Sequence, residues 1–243
     1  MSPAWVAGPP AAPGTIAEAS ASWGAAVWIL LVAALVFAVA DAFLSRRPTT
    51  WLRWMSKGLV PALLIVAVAT ASIMGDKPSW AAVFAAGALC LCLMGDLFLL
   101  EERRFVAGGV AFALAHVLFV VALLRDAWSE GWGSSAGVYV ALGVVALAAV
   151  SWGWRVVVAA PGAAMRFLSG FYLLLVACTV VAAGINAASQ GGWLALAGAA
   201  LFLLSDLLLL RRRNTLRAGN DSPAVMGSYH LALFLLTGWA LLA

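Results

Sequence analysis

The stretch "LCLMGDLFLLEERRFVAGGVAFALAHVLFVVALL", residues 91–124, decides the fold. Two apolar runs meet at a charged turn, residues 101–104. Each belongs to a run long enough to cross the roughly 30 Å hydrocarbon layer as a helix of about 20 residues. Neither alternates polar and apolar residues as a membrane-barrel strand does. Within them stand Asp96 and His116, although an ionisable residue at the bilayer centre costs at least about 2.5 kcal/mol. The stretch reads as a membrane helical hairpin that carries a carboxylate and an imidazole for a reason.

The rest of the chain repeats the pattern. Of its 243 residues 65% are hydrophobic and 10% charged, with mean hydropathy +1.04, whereas soluble domains are about 25% charged. Eight apolar spans are predicted, over residues 23–44, 57–74, 79–100, 105–124, 136–154, 167–185, 193–210 and 224–242. The expected fold is all-α: one polytopic transmembrane helix bundle over residues 22–243, behind a flexible tail at residues 1–21. That tail is rich in Pro, Ala and Gly and has no Lys or Arg. It lacks the basic start of a cleavable signal peptide, so the first span is expected to be retained.

A sequence pI near 9.3 raises the question of an anionic partner, but the placement of the charges answers it without nucleic acid. Arg46, Arg47, Arg53 and Lys57 flank the first connection, Arg103 and Arg104 the third, Arg155 and Arg166 the fifth, and Arg211, Arg212, Arg213 and Arg217 the seventh. Only Lys77 and Arg125 lie on the other side. The positive-inside rule puts the odd-numbered connections in the cytoplasm and both termini outside. The basic tract at residues 209–223 is then an orientation-setting loop with a secondary attraction to anionic headgroups. Cys90, Cys92 and Cys178 all fall in spans without a CxxC pair, so they read as small packing residues rather than a zinc or redox site.

The third and seventh spans look alike, "ALCLCLMGDLFLLEERR" beside "ALFLLSDLLLLRRR". In each, a small residue precedes an Asp (Gly95 and Asp96, Ser205 and Asp206), and a His follows in the next span, His116 or His230. A four-plus-four repeat offset by about 110 residues would place a site between the halves. Asp41, Asp96 and Asp206 each stand five residues from a charged edge, about 7 Å inside it at 1.5 Å per residue. Lys57, Tyr229 and His230 lie near the same edge, while His116 is about 16 Å deep. These residues outline a pocket that opens in the cytoplasmic leaflet. Gly108, Phe112 and His116 share a helix face, Gly109 and Ala113 form a small-xxx-small pair that permits close helix contact, and Phe112 with Phe119 would floor a cleft suited to a lipid chain.

Each polar residue also has a structural reading. Asp96 could bond to Lys57 or to an Arg of the third connection, His116 could be a packing histidine, Tyr229 an interface anchor, and Asp41 a structural carboxylate. The functional reading rests on two level Asp residues with two His residues at hand. Two carboxylates in a low-dielectric pocket do not both ionise cheaply, which sets a general acid beside a general base. That pairing suits hydrolysis through an oxocarbenium-like state. No nucleophile-elbow serine, HExxH or Gly-rich phosphate loop is present. With two His residues, catalytic zinc would need carboxylates for the balance of its ligands, and neither a metal nor a cofactor is expected.

At these residues the sequence resembles the YhhN/TMEM86 family of eight-helix membrane proteins, whose characterised members are lysoplasmalogenases. The resemblance lies in "GDLFLLEERRFVAGGVAFALAHVLF", with "SKGLVPALL" before it and "LFLLSDLLLL" and "SYHLALFLL" after it, and it spans residues 57–237. Two features depart from the family pattern. Pro61 follows Lys57 by four positions rather than directly, and Leu233 replaces the Gln of a Tyr-x-x-Ala-Gln run that here begins at Tyr229.

The resemblance implies cleavage of the vinyl ether of a lysoplasmalogen to a fatty aldehyde and a glycerophospho-alcohol. Asp96 and Asp206 would be the acid/base pair and His116 the proton relay or orienting group. Lys57 and Tyr229 would meet the glycerophosphate, with Phe112, Phe119, His230 and Asp41 completing the substrate site. The expected partners are the lysophospholipid substrate and the lipid bilayer, and the composition points to a bacterial plasma membrane. Two other functions use the same residues: a proton-coupled transporter or lipid-binding protein with the intramembrane acids as its relay, and a hydrolase of another lipid ether or ester. Discontinuous helices would favour the transporter, and no span is expected to be broken by Pro or paired Gly apart from Gly108 and Gly109.

Overall fold

Backbone groups in hydrocarbon must be satisfied within their own segment or a closed barrel, and the chain does this with helices. The computed structural model describes residues 24–47, 50–74, 79–129, 143, 150–151, 153–216 and 222–243. Among these there is no strand. The helices are α1 (Ala25–Leu44), α2 (Trp51–Met74), α3 (Trp80–Leu99), α4 (Phe105–Ser129), α5 (Gly162–Gln190), α6 (Trp193–Asn214) and α7 (Pro223–Leu242), with a 3₁₀ turn at Glu102–Arg104 joining α3 to α4. All seven are long and apolar enough to span a membrane, so the protein is a polytopic membrane helix bundle. The expected tail at 1–21 and most of the expected span at 136–154 lie outside the described residues, and residues 153–158 are helical.

Local chemistry sets the helix ends. Ser79 caps α3 by accepting from the Ala82 N–H at 3.0 Å, and Ser222 caps α7 by accepting from the Val225 N–H at 3.3 Å, with Pro223 beginning the helix. Both satisfy a donor the first turn leaves over. Gly191, at φ 72°, ends α5 in the left-handed conformation that glycine adopts without penalty and lets α6 start at Trp193.

Consecutive helices pack side by side, and α7 turns back against α1, α2 and α3. Ala34, Ala85, Ala88, Ala115, Ala183 and Ala232 are all fully buried between helices, where small residues let backbones approach. Large apolar residues such as Ile29, Val36, Phe43, Ile73 and Phe167 point outward, the placement a lipid solvent favours.

Two sequence expectations are corrected. First, α2 begins at Trp51 rather than at residue 57, so Arg53, placed in the first connection, lies inside the bundle, and Lys57, placed at the start of the span, is buried six residues into the helix. Pro61, already within the expected span, stands inside α2. The ring deprives the Lys57 carbonyl of its i+4 donor, yet α2 runs on through it unbroken, as expected. Second, the close approach of α3 and α4 is made by Gly95 and Gly108, not by Gly109 and Ala113. A Cβ on Gly95 would stand 2.6 Å from the Phe112 ring and one on Gly108 3.2 Å from the Gly95 carbonyl, whereas one on Gly109 would meet nothing within 4 Å.

Candidate active site

Seven helices place the polar side chains in three carboxylate-centred groupings, and each joins residues far apart in the sequence. Asp96, on α3, accepts a hydrogen bond from the Tyr229 hydroxyl of α7 at 2.7 Å, and its other oxygen is 3.8 Å from the Lys57 ammonium of α2. Lys57 is completely buried and Asp96 nearly so. An ion pair removed from water is stable only when further hydrogen bonds complete it, and the Tyr229 hydroxyl is one such donor.

Asp206, on α6, meets His116 of α4, with Nε2 and Oδ2 3.3 Å apart. The other ring nitrogen, Nδ1, is 3.0 Å from Oγ1 of Thr179 on α5. The Thr179 hydroxyl donates to the Leu175 carbonyl, one helical turn back, at 3.1 Å. A carbonyl can only accept, so the Thr179 oxygen is left to accept from His116 Nδ1–H. That assignment fixes the tautomer: Nε2 then faces the carboxylate, and a hydrogen bond between them needs a proton that the two groups share. The Tyr172 hydroxyl of α5 also reaches Asp206.

A third cluster surrounds Asp41 at the end of α1. Its carboxylate accepts from Ser56 Oγ at 3.0 Å, lies 3.0 Å from His230 Nε2 and 3.4 Å from the Arg53 guanidinium, and Arg53 Nη1 also donates to the Asp41 carbonyl at 2.5 Å. All four residues are buried. Asp41, which sequence alone leaves without a polar neighbour on its helix, thus finds its partners on α2 and α7.

An aromatic cluster joins the two central carboxylates. The Phe202 ring lies 4.5 Å from His116, 5.4 Å from Tyr229 and 6.2 Å from Phe112, and Phe112 is 5.7 Å from Tyr229, each pair edge to face. Phe119 is fully buried behind Phe202 at 6.5 Å. Cys92, buried one turn before Asp96, lies within electrostatic reach of both Asp96 and Asp206. Asp96 and Asp206, each with its own partners, are therefore linked through these rings and Cys92. The sequence profile of the YhhN family matches residues 52–239, which include both carboxylates and every partner named for them. The chain belongs to the YhhN family. No match was found among curated proteins or among solved structures. The matched region of this YhhN protein leaves out Asp41 but includes Arg53, Ser56 and His230, which hold it.

The nine residues singled out from sequence are all buried. Lys57, Tyr229 and Asp96 come together, as do His116 and Asp206, and His230 and Asp41. Tyr229 and Lys57 both turn to Asp96 rather than to a rim facing water. Sequence reading missed Thr179, Tyr172, Phe202, Cys92, Arg53 and Ser56 as members of the site. Of these only Arg53 gave a usable signal, since a cation twelve residues after Asp41 lies within reach across a short connection. Among the described residues no group of three or more His, Cys, Asp or Glu side chains is placed to hold a metal ion.

Proposed function

We propose that the protein is a lysoplasmalogenase-type hydrolase, which cleaves the vinyl ether of a single-chain glycerophospholipid by acid/base catalysis at Asp206 and Asp96. The observation that carries this reading is the unequal supply of cations and protons to the two acids. Asp96 faces the Lys57 amine and accepts from the Tyr229 hydroxyl, surroundings that suit an anion. Asp206 faces the His116 imidazole, the surroundings of a group that gives and takes a proton.

In the proposed reaction the Asp206–His116 pair delivers its proton to the β-carbon of the enol ether, and the double-bond electrons form the new C–H bond. The α-carbon becomes an oxocarbenium ion, stabilised by the Asp96 anion across a site from which aromatic rings exclude bulk water. Water adds to that carbon, and Asp96 takes its proton. Asp96 then passes that proton to the glycerol oxygen as the C–O bond breaks and the alcohol leaves, while the hemiacetal hydroxyl proton goes to the Asp206–His116 pair, so the fatty aldehyde is released and both acids regain their starting protonation. Water is the only co-reactant. A general acid/base contribution of about 10²–10⁴-fold is the usual scale for such groups, and electrostatic stabilisation of the cation adds to it.

The reading is tested by presenting the purified protein in lipid with three substrates: a lysoplasmalogen, its saturated ether analogue and an ester lysolipid. Release of aldehyde from the first alone is the expected result. Fatty acid from the ester, or no product from any of the three, would place the protein among other lipid hydrolases or among the transporters that use intramembrane acids as a relay.

A further inference from the structure

A cavity of about 380 Å³ lies between α4, α5 and α6, a size within the range of sites for one small molecule. Its walls are almost wholly apolar, with Phe105, Gly109 and Ala113 on α4, Met165 and Leu175 on α5 and Leu209 on α6. Only two lining residues carry a polar side-chain atom that bears on recognition, Ser169 and Tyr172. Ser169 Oγ accepts from Asn214 Nδ2 at 3.4 Å, so its hydroxyl oxygen is engaged within the protein. Tyr172 is the other, and its hydroxyl reaches Asp206.

The cavity and the candidate active site therefore share walls. Phe112 lines the cavity and packs against Tyr229 and Phe202, while Tyr172 lines it and stands edge to face with His116 at 5.9 Å. At the other extreme, Val106, Val110, Leu114 and Phe171 line it with side chains about half exposed on the outer surface of the bundle. The space thus runs from the outer surface of the bundle to Phe112 and Tyr172, which border the polar centre, along walls that carry no charged side chain.

We infer that this cavity holds the hydrocarbon chain of the single-chain lipid substrate, admitted sideways from the bilayer between α4 and α5, with Tyr172 marking where apolar chain gives way to reacting ether. The inference rests on the hydrolase reading and deepens it, because it fixes where chain specificity is set. A polar ligand would find no partner along the walls, and a site open to the membrane needs no route through water. The absent Cβ of Gly109 is then functional: its position faces open space, so a larger side chain there occupies the chain's path and leaves the helix contacts of α4 intact.

The test uses a saturated-ether lysolipid, which cannot be cleaved at a vinyl ether, with a photoreactive diazirine in its chain. In wild-type protein the label is expected on peptides from residues 105–117 and 165–175, displaced by unlabelled lysoplasmalogen. Gly109→Trp should abolish that labelling and lower kcat/KM for long-chain lysoplasmalogen by about tenfold or more, the scale on which apolar pockets discriminate by shape. A short-chain substrate should be far less affected. Gly109→Leu, a smaller intrusion, should give an intermediate loss and guards against a misfolded Trp variant. Asp206→Asn should label like wild type.

Labelling elsewhere, or labelling that a diacyl phospholipid displaces as well as a lysolipid does, overturns the inference. Wild-type protein that hydrolyses lysoplasmalogen yet labels elsewhere overturns this inference alone. Wild-type protein that labels in the cavity yet releases no aldehyde overturns the hydrolase reading alone.

Discussion

Thr179 shows how one hydroxyl in a membrane helix orients an imidazole on the helix beside it. Its proton goes back along α5 to Leu175, so its oxygen fixes His116 Nδ1 as the donor and turns Nε2 toward Asp206. Thr179→Val keeps the shape and removes the acceptor. Loss of such an orienting partner commonly costs about 10–100-fold, so aldehyde release should fall by about that much in kcat, with Thr179→Ser restoring most of it. At the Asp41 cluster the expected effect is on stability instead. Arg53→Ala leaves a buried carboxylate short of its cation, which costs about 3–5 kcal/mol, read as a lowered unfolding temperature in detergent. Adding Asp41→Asn to that variant should recover part of the loss. The three Asp and two His residues were legible in the sequence because ionisable groups in apolar runs stand out by their cost. Thr179, Tyr172, Phe202 and Cys92 were not, since each is an ordinary occupant of a membrane helix. Their importance comes from neighbours far off in the chain, such as His116 at 63 residues from Thr179.

The elements carry a second set of consequences. The α3–α4 hairpin was readable from two apolar runs around a charged turn, and the structure gives it the same limits to within a few residues except at the end of α4, which extends to Ser129. The extension is tied down by Asn186 of α5, which donates to Asp126 Oδ2 at 2.7 Å and to the Leu123 carbonyl. At the other end, Gly108 makes the contact that Gly109 was expected to make. Adjacent glycines on one helix point about 100° apart, and composition alone does not say which one faces the neighbouring helix. Gly108→Leu should therefore destabilise the protein by about 1–3 kcal/mol, the usual cost of overpacking, because its Cβ would press on Leu99 at 2.9 Å. Gly109→Ala should leave the unfolding temperature nearly unchanged. Charged residues blurred the other boundaries. Arg53 reads as a loop cation but is a buried counterion of Asp41, and Arg211, Arg212 and Arg213 form the last turn of α6, where positive charge suits the helix C-terminus. Arg213 also lies over the Phe105 ring at 3.8 Å, which ties that turn to the start of α4.

Across the whole molecule, the two halves of the chain are joined by their ionisable groups. His116 of the first half meets Asp206 of the second, His230 of the second meets Asp41 of the first, and Tyr229 of the second donates to Asp96 of the first. These three contacts therefore lie between the halves. The crosswise pairing itself was invisible in sequence, because the shorter spacings from Asp96 to His116 and from Asp206 to His230 favour partners within a half. The positive-inside rule makes the orientation a prediction: a reporter fused after Ala243 should be active only outside the membrane, while a cysteine placed at Arg212 should react only with reagents that reach the cytoplasm. The central claim is that Asp96 and Asp206 together cleave a vinyl ether, and the most direct measurement is aldehyde release from lysoplasmalogen by purified wild-type, Asp96→Asn and Asp206→Asn proteins of matched thermal stability. Each single variant should lose about 10²–10⁴-fold in turnover, whereas near-normal turnover in both would contradict the account.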